Sequence, residues 1–260
     1  MKGGSALRRG ILLKLAAVLF AASVIYVWQM AADARLISPV FFPSPTRTFA
    51  ALQAMYERGD LLGPMAATAL RMFYGWVLAS LAGVVLGAAI ARSGPVRAYL
   101  EPLLEFLRPL PASAIIPPAI LFLGLTSKMA VTVIAFGALW PVLLGAYHGF
   151  RSVEPQLVEM AAAIRMKSTA FVWKVALPSA LPDIFAGVRV SLAIALILAV
   201  VTEMQAAQTG LGFNILMAQR SFRSPELYAG IIVLGVLGLF TNQALLMAER
   251  RLLRWRTLTR

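Results

Sequence analysis

The charged residues of Arg151–Arg189 have the types and spacing that could do chemistry. The stretch reads RSVEPQLVEMAAAIRMKSTAFVWKVALPSALPDIFAGVR, set between long apolar runs. It holds eight charged side chains: Arg151, Glu154, Glu159, Arg165, Lys167, Lys174, Asp183 and Arg189. Apolar residues recur within it at helical spacing, and a doubled Leu-Pro, Leu177-Pro178 and Leu181-Pro182, closes it. A water-exposed helical module between membrane helices meets a partner in the water. Its chemistry is docking rather than bond breaking. A second, sparser set lies near the ends of other apolar spans: Arg71, Glu203 and Gln208. An arginine there can snorkel to the surface or attract an anion at the mouth of a bundle.

Other chemistries are missing. There is no cysteine and one histidine, His148. That leaves no disulfide framework, thiolate metal site or cysteine nucleophile, and nearly excludes a metal site built on imidazoles. No Gly-Lys dipeptide occurs, so there is no phosphate-binding Walker loop. Paired membrane carboxylates of the kind that run proton or sodium coupling are absent. So is an internal repeat of the secondary-transporter type. The chain offers no catalytic residues, no metal site and no cofactor site. If it transports, energy comes from a partner.

The elements that position these residues are membrane helices. The chain is 60% hydrophobic and 13% charged, with a mean hydropathy of +0.80. Soluble domains carry about 25% charged residues. The net charge of +13 does not imply nucleic acid, because the basic residues cluster at the ends of apolar spans rather than forming one stripe. Six spans are predicted, at 11–32, 66–92, 103–123, 129–149, 184–204 and 226–248. The first could also be read as a signal peptide cleaved near Ala32-Asp33-Ala34, but Tyr26 and Trp28 suit an interfacial aromatic belt. Residues 33–65 are expected to hold a short amphipathic helix capped by Thr46 and ending at Glu57. In the second span Gly75, Ala79, Gly83 and Gly87 make a nearly bare face for close helix packing. The third span carries Pro109, Pro111, Pro117 and Pro118, which kink or break it. Ser152 is expected to cap a helix to about Met166, and Ser168 a second one ending near Pro178. A polar, glycine-bearing loop is expected after the fifth span. The division expected is 1–32, a tail and first helix; 33–65, an outer segment; and 66–260, a five-helix core that includes the loop 151–183. With both termini inside, the inner segments carry most of the Lys and Arg. The positive-inside rule therefore places 151–183 in the cytoplasm.

That loop resembles the EAA loop of binding-protein-dependent ABC importer permeases. Their pattern is Glu-Ala-Ala, then a Gly, then an apolar stretch to a Leu-Pro. Here Glu159-Met160-Ala161 fills the first part and Val175-Ala176-Leu177-Pro178 the last. The second Leu-Pro, Leu181-Pro182, is similar to the nitrate, sulfonate and taurine branch. So are Phe42-Pro43-Ser44-Pro45, the Arg-Pro-Leu-Pro core of 103–118, Thr202-Glu203-Met204, Gly210-Leu211-Gly212-Phe213 and Leu253-Arg254-Trp255. The resemblance covers about residues 40–256. Arg165 stands where the family has its Gly, and Met160 replaces the first Ala. Only Gly takes a positive φ without strain, so Arg165 predicts a continuous or differently bent connection.

The resemblance implies an all-α type I importer permease with six transmembrane helices and a cytoplasmic coupling-helix loop. It implies a bacterial inner-membrane location and a small anion, such as a sulfonate, taurine or nitrate, as solute. The partners implied are an ABC ATPase dimer that binds ATP and Mg, a periplasmic or lipid-anchored substrate-binding protein and a second permease subunit, as a homodimer. Glu159 and Arg165 would make polar contacts in the ATPase groove. Leu157, Met160, Ala161 and Ile164 would pack into it. Leu177, Pro178, Leu181 and Pro182 would stiffen the link to the fifth span. Arg71, Glu203 and Gln208 would meet substrate at the outer mouth. Alternatives are a permease for a neutral or cationic vitamin precursor, and a non-transporting membrane scaffold or sensor.

Overall fold

The computed structural model describes residues 3–36, 38–206 and 209–254. In chain order it holds α1 (Gly3–Asp33), α2 (Pro45–Glu57), α3 (Leu62–Arg92), α4 (Gly94–Leu107), a 3-10 turn at Ala112–Ile115 and α5 (Ile116–Leu123). There follow α6 (Ser127–Arg151), α7 (Pro155–Ala163), α8 (Ser168–Phe171), a π-turn at Val172–Ala176, α9 (Leu177–Ala206), α10 (Leu211–Arg220) and α11 (Ser224–Leu252). No strand occurs among the described residues. Among the described residues five helical stretches are long and apolar enough to cross a membrane: Leu15–Asp33, Leu62–Arg92, Ser127–Arg151, Ser168–Ala206 and Ser224–Leu252. α4 with 112–123 makes a sixth if the two are counted as one span, bent by 91° at its break. The chain is an all-α multi-pass membrane protein.

The break has a local cause. Arg108-Pro109-Leu110-Pro111 removes two backbone N–H donors in four residues, and no α-helix continues through that. Pro117 sits in the first turn of α5, where an N–H would have no partner anyway. The predicted third span of 103–123 is therefore two helices, the first of which begins at Gly94 rather than Leu103.

The chain divides into two compact units, one of residues 63–213 with 233–260 and the other of residues 1–62 with 214–232. In the first, α3, α6 and α9 pack against one another. In lipid there is no hydrophobic drive between helices, so close packing and hydrogen bonds hold them. The glycine face of α3 supplies the packing. A Cβ on Gly83 would lie 2.8 Å from Val142 Cβ, and one on Gly87 would lie 2.6 Å from Leu143 O. On the other side, Gly187 of α9 lies against the carbonyl of Pro141, and Ser191 Oγ donates to Ala138 O at 2.7 Å. Trp76 Nε1 of α3 donates to Val188 O of α9 at 3.1 Å. A smaller cluster of Ile116, Ala119, Met129, Val133 and Ala206 seats α5 on the start of α6. Arg189 pairs with Glu249 between α9 and α11.

In the second unit, Trp28, Phe42 and Tyr228 form an aromatic cluster, with ring centroids 5.8–6.2 Å apart. Trp28 Nε1 donates to Pro43 O at 3.0 Å, and Arg58 pairs with Glu226 at 3.3 Å. The amphipathic helix lies where expected, but its cap is Ser44 rather than Thr46. Ser44 Oγ accepts from Arg47 N, and Pro45 takes the first helical position. Arg223 pairs with Glu226 at 2.8 Å. The expected polar loop after the fifth span is largely helical, because 211–220 form α10.

Candidate functional site

The charged module folds as two short helices at one end of the α3–α6–α9 bundle. Ser152 does not cap α7, because its hydroxyl donates back to Gly149 O at 3.1 Å. The helix starts at Pro155, behind Glu154, and stops at Ala163 rather than Met166. Its stop is a Schellman turn. Met166 N donates to Ala161 O and Arg165 N to Ala162 O, both at 2.9 Å. Arg165 is the left-handed residue of that turn, with φ 52°. This overturns the expectation of a continuous or differently bent connection. The turn is the tight one that glycine favours, and Arg165 adopts it with backbone hydrogen bonds on both sides.

Side-chain placement on α7 separates the residues expected to dock. Glu159 and Arg165 are exposed and have no side-chain hydrogen bond or ion pair among the described residues. Met160 (52%) and Ile164 (63%) are exposed, as is Val158. Ala161, however, is only 4% exposed, and Leu157, one turn earlier, is half-buried. Residues four apart share a helix face. The 157/161 face therefore belongs to the chain's own packing, and Val158, Met160 and Ile164 are the large apolar residues left open. That corrects the apolar face read from the sequence.

The helix predicted to end near Pro178 does not end there. α8, the π-turn and α9 run on without a break, and Leu177 N donates to Val172 O across the wide turn. Pro178 has no N–H to give to the preceding turn, and a local π adjustment is one way a membrane helix carries a proline. The two Leu-Pro pairs thus do not close the module. They form the first turns of α9, so that α7 and α8 connect to a membrane helix that begins at 177 instead of 184. The π-turn exposes Trp173 (69%) and Lys174. Phe171 receives the Arg92 guanidinium over its ring at 5.6 Å.

At the opposite end of the bundle lies a buried polar cluster. Glu203, in the last turns of α9, is 0% exposed. Its Oε1 accepts from Arg71 Nη1 at 2.8 Å. Its Oε2 accepts from Thr68 Oγ1 at 2.8 Å and from Gly212 N at 3.0 Å. Thr68 Oγ1 in turn accepts from Leu211 N at 2.9 Å. Arg71 also donates to Thr209 O at 2.7 Å, Thr209 Oγ1 at 2.9 Å and Ser127 Oγ at 3.3 Å. Gly210, at φ 129°, lies against the carboxylate, and a Cβ there would collide with it. The segment 209–212 is thus folded onto one carboxylate. An ion pair this buried needs its remaining hydrogen-bonding positions filled, and here both carboxylate oxygens and four of the five guanidinium N–H groups are engaged.

Of the residues singled out at this mouth, Arg71 and Glu203 meet each other, and Gln208 lies outside the described residues. Thr68, Ser127 and Thr209 were not singled out. A signal for Thr68 exists in the sequence, because Thr68 and Arg71 are three apart on one helix and share a face. Nothing local marks Ser127 or Thr209. No group of three or more potential metal-ligating residues occurs among the described residues.

A family model described as binding-protein-dependent transport system inner membrane component matches residues 79–254. The putative aliphatic sulfonates transport permease protein SsuC of Bacillus subtilis (strain 168) is 32% identical over 239 residues, covering 92% of this chain and 87% of that protein. The taurine transport system permease protein TauC of Escherichia coli (strain K12) is 29% identical, with 90% and 87% covered. The bicarbonate transport system permease protein CmpB of Synechococcus elongatus (strain ATCC 33912 / PCC 7942 / FACHB-805) is 28% identical, with 94% and 90% covered. Among solved structures, an inward-facing MetNI methionine ABC transporter matches with a TM-score of 0.57 at 20% identity, covering 75% of this chain and 92% of that one. An amino acid ABC transporter with histidines matches with a TM-score of 0.63 at 17% identity, covering 77% and 98%. These two likenesses carry the fold, which is that of type I ABC importer permeases.

Proposed function

Since the chain belongs to the binding-protein-dependent transport system inner membrane components, we propose that it forms the membrane pathway for a small anion of the sulfonate, taurine, nitrate or bicarbonate kind. The named solutes of the sulfonate, taurine and bicarbonate relatives support this class. In this reading the chain sits in the bacterial inner membrane with both termini in the cytoplasm. A second copy completes the pathway, and a periplasmic or lipid-anchored binding protein delivers the solute. A separate ATPase dimer, holding ATP and Mg, grips α7 from the cytoplasm.

One observation carries the coupling role. α7 ends in a tight turn that leaves Glu159, Arg165, Met160 and Ile164 exposed, and neither charged side chain has a hydrogen-bond or ion-pair partner among the described residues. The unbroken helical path from Ser168 to Ala206 then joins this docking end to the Glu203 end. A displacement at α8 moves α9 as a rod, stiffened by Leu177-Pro178 and Leu181-Pro182. The test is reconstitution with the ATPase and the binding protein. Binding-protein-stimulated ATP hydrolysis is expected with the native chain. The Glu159→Ala/Arg165→Ala variant is expected to remain in the membrane at native amounts while solute uptake falls. Native uptake by that variant would remove the role given to α7, and absence of any stimulated hydrolysis with the native chain would favour a scaffold or sensor.

A further inference from the structure

We infer that the cavity beside Arg71 is a weak binding site for the oxyanion head of the transported solute, with Arg71, Ser127 and Thr209 as its donors. This rests on the transport reading above and adds a site to it. The cavity holds about 260 Å³, between the starts of α3 and α6 and the end of α9, and Arg71, Ser127, Thr209, Leu125, Met129 and Ala206 are among its lining.

Hydrogen-bond bookkeeping gives its chemical preference. A guanidinium has five N–H protons. Arg71 uses four of them, on Ser127, Glu203 and twice on Thr209, which leaves one on Nη2. Ser127 Oγ and Thr209 Oγ1 accept from Arg71, and no bond among the described residues uses their own protons. The other two hydroxyls of the lining are spent, since Thr126 donates to Leu123 O at 3.0 Å and Thr202 to Ala199 O at 2.9 Å. The unspent capacity of the wall is therefore three donors. Both Glu203 oxygens are engaged elsewhere. Three donors grouped around one guanidinium suit a trigonal or tetrahedral oxyanion. Leu125, Met129 and Ala206 suit a short aliphatic tail.

The Glu203 carboxylate balances the formal charge of Arg71, so an anion gains hydrogen bonds here without the full attraction of a free cation. A solute in transit must enter and leave, and weak retention permits both. The ion pair need not break for the anion to sit, because the fifth N–H of Arg71 is already free.

The measurement is saturation-transfer NMR on the full chain in nanodiscs, with ethanesulfonate as probe and neutral ethanesulfonamide and cationic choline as comparators. Transfer to ethanesulfonate, but not to choline and only weakly to the sulfonamide, is expected. The Ser127→Ala/Thr209→Val variant keeps Arg71 and Glu203. It is expected to weaken ethanesulfonate by more than about tenfold, since two hydrogen bonds to a charged group are lost. Equal signals from the three probes, no signal from ethanesulfonate, or an unchanged Kd in a variant whose thermal stability is native would each overturn the site. ATP-driven uptake in vesicles separates the two readings. Oxyanion uptake by the native assembly with unaltered uptake by the double variant removes the site alone, while failure of uptake by the native assembly removes the transport reading itself.

Discussion

The two ends of the α3–α6–α9 bundle handle charge in opposite ways. At the Glu203 end every charged oxygen has a donor from the chain itself, and the pair is nearly sealed, with Arg71 only 12% exposed. At the α7 end Glu159, Arg165, Lys167 and Lys174 are exposed, and none has a side-chain partner among the described residues. Large apolar residues lie beside them, with Ile164 at 63% and Trp173 at 69% exposed. A sealed ion pair fixes one arrangement of three segments and costs much to disturb. Open charges beside open apolar side chains are what an interface leaves showing before its partner arrives. The first end holds the fold together, and the second is built to be held by something else. Substitutions should therefore damage the first through stability and the second through coupling.

The largest effect tests the sealed end. Arg71→Met leaves the Glu203 carboxylate buried with only Thr68 and Gly212 to answer it. Removing one partner of a buried pair costs about 3–5 kcal/mol. The variant should be nearly absent from membranes, and what survives should unfold earlier in detergent. Adding Glu203→Met to it should cost less than the two single losses combined, because the orphaned charge is gone. Additive losses would show that the pair contributes nothing as a pair.

Next comes Gly210→Ala. Its φ of 129° strains any side chain on backbone grounds, and the added Cβ would strike the Glu203 carboxylate. A strained position of this type costs about 1–3 kcal/mol, so a Tm loss smaller than that of Arg71→Met is expected. Gly59→Ala is the contrast. It also has a positive φ, of 77°, but nothing stands within 4 Å of its Cβ. If the two variants lose the same Tm, then strain alone and not the carboxylate makes Gly210 matter.

How far this difference could be read from sequence depends on the range of the interactions. The spans were legible, because twenty or so apolar residues declare themselves. So was the bare face of α3, because four small residues at one spacing can do little but pack. The broken third span was legible from its prolines. The caps were less so. Ser152 and Thr46 are good capping types, yet Ser44 and the Pro155 start won, since neighbouring prolines fix where a first turn begins. The Glu203 cluster was not legible as a unit. Its members come from residues 68, 71, 127, 203, 209 and 212, and only the fold brings them together. Arg165 failed for a different reason. The rule that glycine takes the left-handed place in a helix-ending turn is a preference of modest size. Among the described residues Arg35, Arg165 and Phe222 all take positive φ, each in the same pair of backbone bonds that closes a helix. The hydrogen bonds of the turn outweigh the local penalty.

The smallest effect follows from that penalty and sharpens the contrast at the α7 end. A non-glycine residue in the left-handed region costs about 1–2 kcal/mol. Arg165→Gly should therefore stabilise the turn slightly, or leave Tm unchanged where the freer unfolded chain offsets the gain. The backbone path of α7 would stay as it is, so coupled uptake should fall only by what the lost guanidinium contributed, a fraction of the loss in Glu159→Ala/Arg165→Ala. Arg165→Pro makes the opposite change, because the ring fixes φ near −65° and the turn cannot form. Uptake should then be abolished while Glu159 and the amount of protein in the membrane are untouched. If Arg165→Pro transports as the native chain does, the tight turn is not what presents α7, and the open charges at this end need no fixed geometry to be gripped.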